Sequence, residues 1–128
     1  MSFLRDIAQP LSDVFALSAI RRIGSALRQA YRQPDDRAAR AAMSLAALEA
    51  GIAFCNASVA LVHGLARPLG AHFGVPHGLA NAVLLAPVCR FTAPAAPQRY
   101  RDVATALGVT LAEGGAEEAI SQLCADLD

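Results

Sequence analysis

Between Ala41 and Cys89 only Glu49 and Arg67 carry formal charge. A segment that long with so little charge has almost no polar face to offer to water. Most of it must be buried in a domain, covered by a partner or immersed in lipid. Pro68 to Cys89 runs for 22 residues without a formal charge, long enough for a helix to span a bilayer. Three glycines, two histidines, an asparagine and the internal Pro76 and Pro87 argue against a span. The N-terminus, MSFLRDIAQP, contains an acid and no sustained apolar run, so it is not a secretory signal. The expectation is a cytoplasmic protein without a membrane partner, in which the charge-poor middle is interior.

The periodicity of the apolar residues is helical. Ala16, Ile20, Ile23, Leu27 and Tyr31 recur every three or four positions and share one face of a helix over Ser12 to Arg32. Ser12 can cap its start and Pro34 stops it. Asp35 or Asp36 opens a second helix to about Ala57, rich in alanine, which favours helix and lets neighbouring backbones come close. A third spans Ser58 to about Gly70, bent or ended by Pro68, and a fourth runs from Gly78 to about Arg90, interrupted near Pro87. After a loop over Thr92 to Pro97, Gln98 to Leu107 and Ala116 to Leu127 form two more. No strand-like alternation lasts more than a few residues. A chain of 128 residues can bury roughly two-thirds of its unfolded surface, so the expected fold is all-α, about six helices in a single domain over residues 1–128.

Charged residues make up 17 % of the chain, below the roughly 25 % usual for soluble domains. That deficit implies surface covered by something else, through homo-oligomers or a docked partner. All eleven basic residues are arginines, balanced by eleven acids and not clustered. Nucleic acid therefore has no electrostatic footprint here. Cys55, Cys89 and Cys124 follow no ligand spacing and are expected to be buried, small apolar residues. No GxGxxG or GxxxxGK run is present to cradle a pyrophosphate.

What remains is the segment LVHGLARPLGAHFGVPHGLAN, residues 61–81, with His63 and His77 fourteen residues apart and each beside a glycine. Imidazole in so apolar a setting is kept either for a metal or by satisfied hydrogen bonds. One ligand on a helix and a second at the tip of the following turn, anchored by Pro-His-Gly, can converge on one ion. Zn²⁺ or Fe²⁺ suits imidazoles with carboxylate help. Spacing alone leaves a hydrogen-bonded core pair as an equal alternative. Arg67 lies four residues after His63, on the same helix face.

The run AGIAFCNASVALVHGLARPLGAHFGVPHGLANAVLLAPV, residues 50–88, resembles the signature region of the iron-containing (group III) alcohol dehydrogenases. It keeps the two histidines, their spacing, Pro-His-Gly and the flanking small-residue helix in one gapless alignment. A looser similarity extends from about Leu11 to about Leu123. The resemblance implies the C-terminal helical domain of an NAD(P)-linked oxidoreductase acting on a small alcohol or aldehyde. It implies that His63 and His77 are the last two of four metal ligands, one Asp and three His, holding Fe²⁺ or Zn²⁺. They would be ligands and not acid–base groups, so no catalytic residue is assigned.

Phe54 matches a position lining the substrate pocket beside the nicotinamide. Arg67 stands where many members carry another histidine, which puts that position's usual role in question; an arginine there could pair with a carboxylate-bearing substrate. His72 matches no ligand. The first two ligands, an Asp and a His four residues apart, precede the stretch matching Pro10 to Tyr31, and neither Asp6 nor Asp13 has a histidine partner. The implied picture is a truncated or split domain, with NAD(P) bound only through an absent N-terminal domain and little activity of its own. The competing picture is a non-catalytic helical module that self-associates or docks on a partner.

Overall fold

The computed structural model describes residues 9–109 and 115–126. Its elements are α1 (Pro10–Arg32), α2 (Arg37–Ala57), α3 (Leu61–Phe73), α4 (His77–Thr92), a 3-10 turn over Ala93–Ala95, α5 (Pro97–Leu107) and α6 (Ala116–Ala125). No strand occurs among the described residues. Among the described residues the fold is all-α with six α-helices, as expected.

α1 starts two residues before the expected cap. Pro10 takes the first helical position, where its missing N–H costs nothing. Ser12 closes the turn from inside: its hydroxyl accepts from the Gln9 N–H (3.0 Å) and donates to the Gln9 carbonyl (2.9 Å). At α2 the Asp36 carboxylate accepts from the N–H groups of Ala38 (2.9 Å) and Ala39 (3.0 Å), satisfying two donors that the helix leaves free. Those bonds, that from Ala39 first, hold its carboxyl below the usual carboxylate range.

α1 and α2 form an antiparallel hairpin. Ser18 and Arg22 reach Glu49, and Gln29 reaches Asp36 near the connecting turn. The seam is alanine from both sides: Ala16, Ala19, Ala26 and Ala30 on α1, and Ala39, Ala46, Ala53 and Ala57 on α2, are all buried. Small side chains bring the helices close and displace the expected stripe of larger residues. Tyr31, at the end of the apolar stripe, is 56 % exposed. Glu49 is the charge this seam does bury, and it is satisfied by the Ser18 hydroxyl (3.0 Å) and the Arg22 guanidinium (3.1 Å).

α3 pairs with α4, and α5 and α6 pack on α1 and α4 to close the core. Ala16, Ala53, Cys89, Tyr100, Val103, Ala104, Ala116 and Ile120 form that core. Arg99–Asp13 and Arg28–Asp126 ion pairs tie α1 to α5 and to the end of α6. Gly24 makes the approach of α5 possible, since a Cβ there would lie 3.3 Å from the Leu107 carbonyl oxygen.

Two expected breaks are absent. α3 passes through Pro68 to Phe73, where Gly74 (φ 67°) takes the left-handed cap conformation and its N–H bonds the Gly70 carbonyl (3.1 Å). The carbonyl that loses its donor belongs to Gly64, whose backbone adjusts most readily. α4 likewise continues through Pro87, because Val88 and Cys89 just beyond it are anchored in the buried interior.

Cys89 is buried as expected, whereas Cys55 is exposed on the unpartnered side of α2; the Cys124 side chain lies outside the described residues. By length and composition Arg37–Ala57 and His77–Ala95 could each cross a membrane. Their outer faces expose Leu48, Phe54, Leu79, Val83 and Phe91.

Candidate metal centre

Backbone geometry delivers the two histidines to one place. α2 ends at Ser58, whose φ of 59° and ψ of −179° turn the chain towards α3. His63 then falls in the first turn of α3. Thirteen residues of helix, the Gly74 cap and the extended Pro76 return the chain so that His77 opens α4. The His63 and His77 rings lie 5.6 Å apart between centroids, tilted by 52°. Phe54, one turn from the end of α2, stacks over His63 at 6.4 Å with an interplanar angle of 15°.

The two imidazoles differ in their surroundings. His63 is partly buried, its Nδ1 is shielded from water, and no hydrogen-bond partner meets that atom among the described residues. Burial, then the neighbouring charges of His77 and Arg67, push its pKa below the usual imidazole value and keep it neutral. His77 is exposed. Asn81, four residues on along α4, places its amide nitrogen 2.8 Å from the His77 carbonyl and 3.0 Å from His77 Nε2. An amide oxygen in that place would face the carbonyl oxygen, so the NH₂ group belongs there. Nε2 is then the acceptor and carries no proton. The i, i+4 spacing of Asn81 and His77 was visible in the sequence; that the contact reaches a ring nitrogen was not.

The other candidates fall nearby or apart. Arg67 is exposed one turn beyond His63, and no carboxylate pairs with it among the described residues. His72 is exposed and touches the edge of Phe73 (6.4 Å), not the histidine pair. Asp13 is bound to Arg99. No group of three or more His, Cys, Asp or Glu side chains able to hold an ion occurs among the described residues.

The pair fits a divalent ion as part of a ligand set: two converging imidazoles, of which His63 is held neutral by burial and has a buried nitrogen lacking a partner among the described residues. They are not a whole set, since protein zinc sites keep three or four protein ligands.

Residues 2–128 match the profile described as Fe-containing alcohol dehydrogenase family, C-terminal. The chain is 41 % identical over 107 residues to 1,3-propanediol dehydrogenase of Klebsiella pneumoniae, covering 84 % of this chain and 28 % of that protein. It is 41 % identical over 112 residues to lactaldehyde reductase of Escherichia coli strain K12, covering 88 % of this chain and 29 % of the relative. The solved alcohol dehydrogenase from Oenococcus oeni superposes with a TM-score of 0.92 at 29 % identity, over 98 % of this chain and 35 % of that one. The chain thus spans between a quarter and two-fifths of the length of these relatives. With its helices and sequence matching from end to end, the chain belongs to the iron-containing alcohol dehydrogenase family and corresponds to that family's C-terminal helical domain.

Proposed function

We propose that this chain forms part of an iron-dependent, NAD(P)-linked alcohol dehydrogenase or aldehyde reductase, in which His63 and His77 are two of the ligands of a divalent ion. The observation that carries the proposal is the convergence of two imidazoles from the first turns of α3 and α4, one with a buried nitrogen that nothing else among the described residues satisfies. Fe²⁺ or Zn²⁺ bound there would supply Lewis acidity towards the oxygen of a small alcohol or aldehyde. The chain's own part is positional. Burial holds His63 neutral, Phe54 stacks beside its ring, and Asn81 bonds His77 Nε2, a contact that an ion bound at that nitrogen would replace. Phe54 and Arg67 would border the substrate and nicotinamide, with Arg67 favouring a negatively charged substrate group. The remaining ligands and the NAD(P) site come from outside the helices described above.

Equilibrium titration with Fe²⁺ under anaerobic conditions, and with Zn²⁺, tests the pair. Binding at one ion per chain is expected, lost in His77→Ala and weakening in acid as His63 takes up a proton, at a pH below the ordinary imidazole value. No binding, or binding indifferent to His77, would sink the assignment. With two ligands among its described residues, the 128-residue polypeptide is expected to show little dehydrogenase activity towards aldehydes with NAD(P)H and Fe²⁺; robust turnover would overturn that part.

One observation favours a second reading. Leu48, Val83 and Phe91 are 61 %, 66 % and 77 % exposed on faces that no other described helix covers, as suits a module that associates with another copy or a partner. Oligomers that form without metal and are indifferent to His77→Ala support that reading over a metal-dependent one.

A further inference from the structure

A cleft of about 370 Å³ opens at the C-terminal end of α4, between the 3-10 turn, α5 and the start of α6. Arg90, on its wall, follows His77 along the same helix at an axial distance of about 20 Å. A molecule filling the cleft therefore stays clear of the histidine pair. Two of the lining residues are arginines, Arg90 from α4 and Arg101 from α5. Each guanidinium is held by a neutral group. Arg90 Nη2 donates to the Ser121 hydroxyl (2.8 Å), and Arg101 donates through Nε (3.1 Å) and Nη2 (2.7 Å) to the side-chain oxygen of Gln98. The ion pairs among the described residues take up Arg22, Arg28 and Arg99, and no carboxylate among those residues lines this cleft. Asp102, next to Arg101 in the chain, accepts from Gln98 (3.2 Å). The two guanidiniums are thus positioned without being neutralised, and each has N–H groups beyond these bonds. Two like charges facing one concavity repel, and an anion between them removes that cost.

We propose that this cleft binds a small organic dianion, a phosphate monoester with an apolar body. The planar forks of Arg90 and Arg101 suit phosphate oxygens. A dianion is preferred to a monocarboxylate because it matches both cations. Pro94, Pro97 and Ala104 leave the rest of the wall apolar, which is where the body of the ligand lies. An apolar cavity of about 150 Å³ is enough to hold benzene, so the cleft has room for a ring beside the phosphate. Neither histidine takes part, and the proposal stands apart from the metal reading above.

The test is titration of the 128-residue protein with phenyl phosphate, benzoate and inorganic phosphate, followed by calorimetry and NMR amide shifts. Phenyl phosphate should bind about tenfold more tightly than inorganic phosphate, through its buried ring, and more tightly than benzoate, through its second charge. The shifts should centre on Arg90, Arg101, Gly115 and Ala116. Arg90→Gln and Arg101→Gln should each weaken phenyl phosphate binding about tenfold or more. Both side chains are exposed, so helix content and melting should match the parent. Arg90→Lys and Arg101→Lys, which keep the charge and lose the fork, should retain part of the affinity. Arg37→Gln, at an exposed arginine that does not line the cleft, should leave binding unchanged. An equal loss in Arg37→Gln would mean unspecific attraction to arginines and overturns the proposal. So do absence of binding, shifts centred on His63, Arg67 and His77, or equal affinity for inorganic phosphate or benzoate. His77→Ala should bind phenyl phosphate as the parent does, which separates failure of this site from failure of the metal assignment.

Discussion

His63 links the centre to stability. Burial, with His77 and Arg67 nearby, lowers its pKa in the folded chain, whereas the unfolded chain takes up a proton near pH 6.5. Below that value the unfolded state binds more protons than the folded one. Stability is therefore unaffected by this group above about pH 6.5 and declines as pH falls from there towards the folded pKa. Urea unfolding between pH 7 and pH 5 should show that decline, and His63→Asn should flatten it; an identical profile in the variant would refute the cause. Ser58 makes a second residue-scale prediction. Its φ of 59° with ψ of −179° lies where glycine is nearly the sole comfortable occupant, at a cost of about 1–3 kcal/mol. Ser58→Gly should raise stability by about 1 kcal/mol in thermal unfolding, and a loss would contradict the strain. That His63 and His77 come together was legible, because a helix followed by a Gly-Pro turn can return the chain over fourteen residues. Ser58's strain and Asn81's bond to His77 were not, because each depends on where the next helix arrives.

At the scale of elements, the six helices were legible from period and composition, and the largest misses trace to tertiary packing. The proline rule describes an isolated helix. In α4 the residues beyond Pro87 are buried, which outweighs one lost hydrogen bond. The stripe from Ala16 to Tyr31 does share a face of α1, but its depth was not legible: periodicity marks a face and does not say that alanines will form its buried centre. The alanine seam has little room to spare. Ala46 and Ala53 are fully buried, so Ala46→Leu should cost about 1–3 kcal/mol by forcing α1 and α2 apart. Denaturant unfolding reads this directly, and a neutral result would mean that the hairpin is looser than the buried alanines imply.

For the whole molecule, low charge was a sound guide to an apolar middle and a poor guide to what covers it. Much of α4 faces outward, with Leu79, Val83 and Phe91 each more than half exposed. Matched over about a third of its relatives' length, the chain offers those faces to whatever lies beside them. Concentration-dependent association is the expected outcome in sizing or sedimentation experiments, and Val83→Lys combined with Phe91→Lys should reduce it without lowering helix content. A strictly monomeric parent protein would rule this out.

The core has a consequence for the order in which it can be assembled. Its residues come from α1, α2, α4, α5 and α6, and the ion pairs that fasten α1 join positions 86 and 98 apart in the chain. During synthesis α1 can find α2 as soon as the short turn between them emerges, since that contact is local. It cannot find α5 or α6 until α3 and α4 have been made between them. Until then the hairpin must survive on alanines and a single buried glutamate, with its inner face open to the nascent chain that follows.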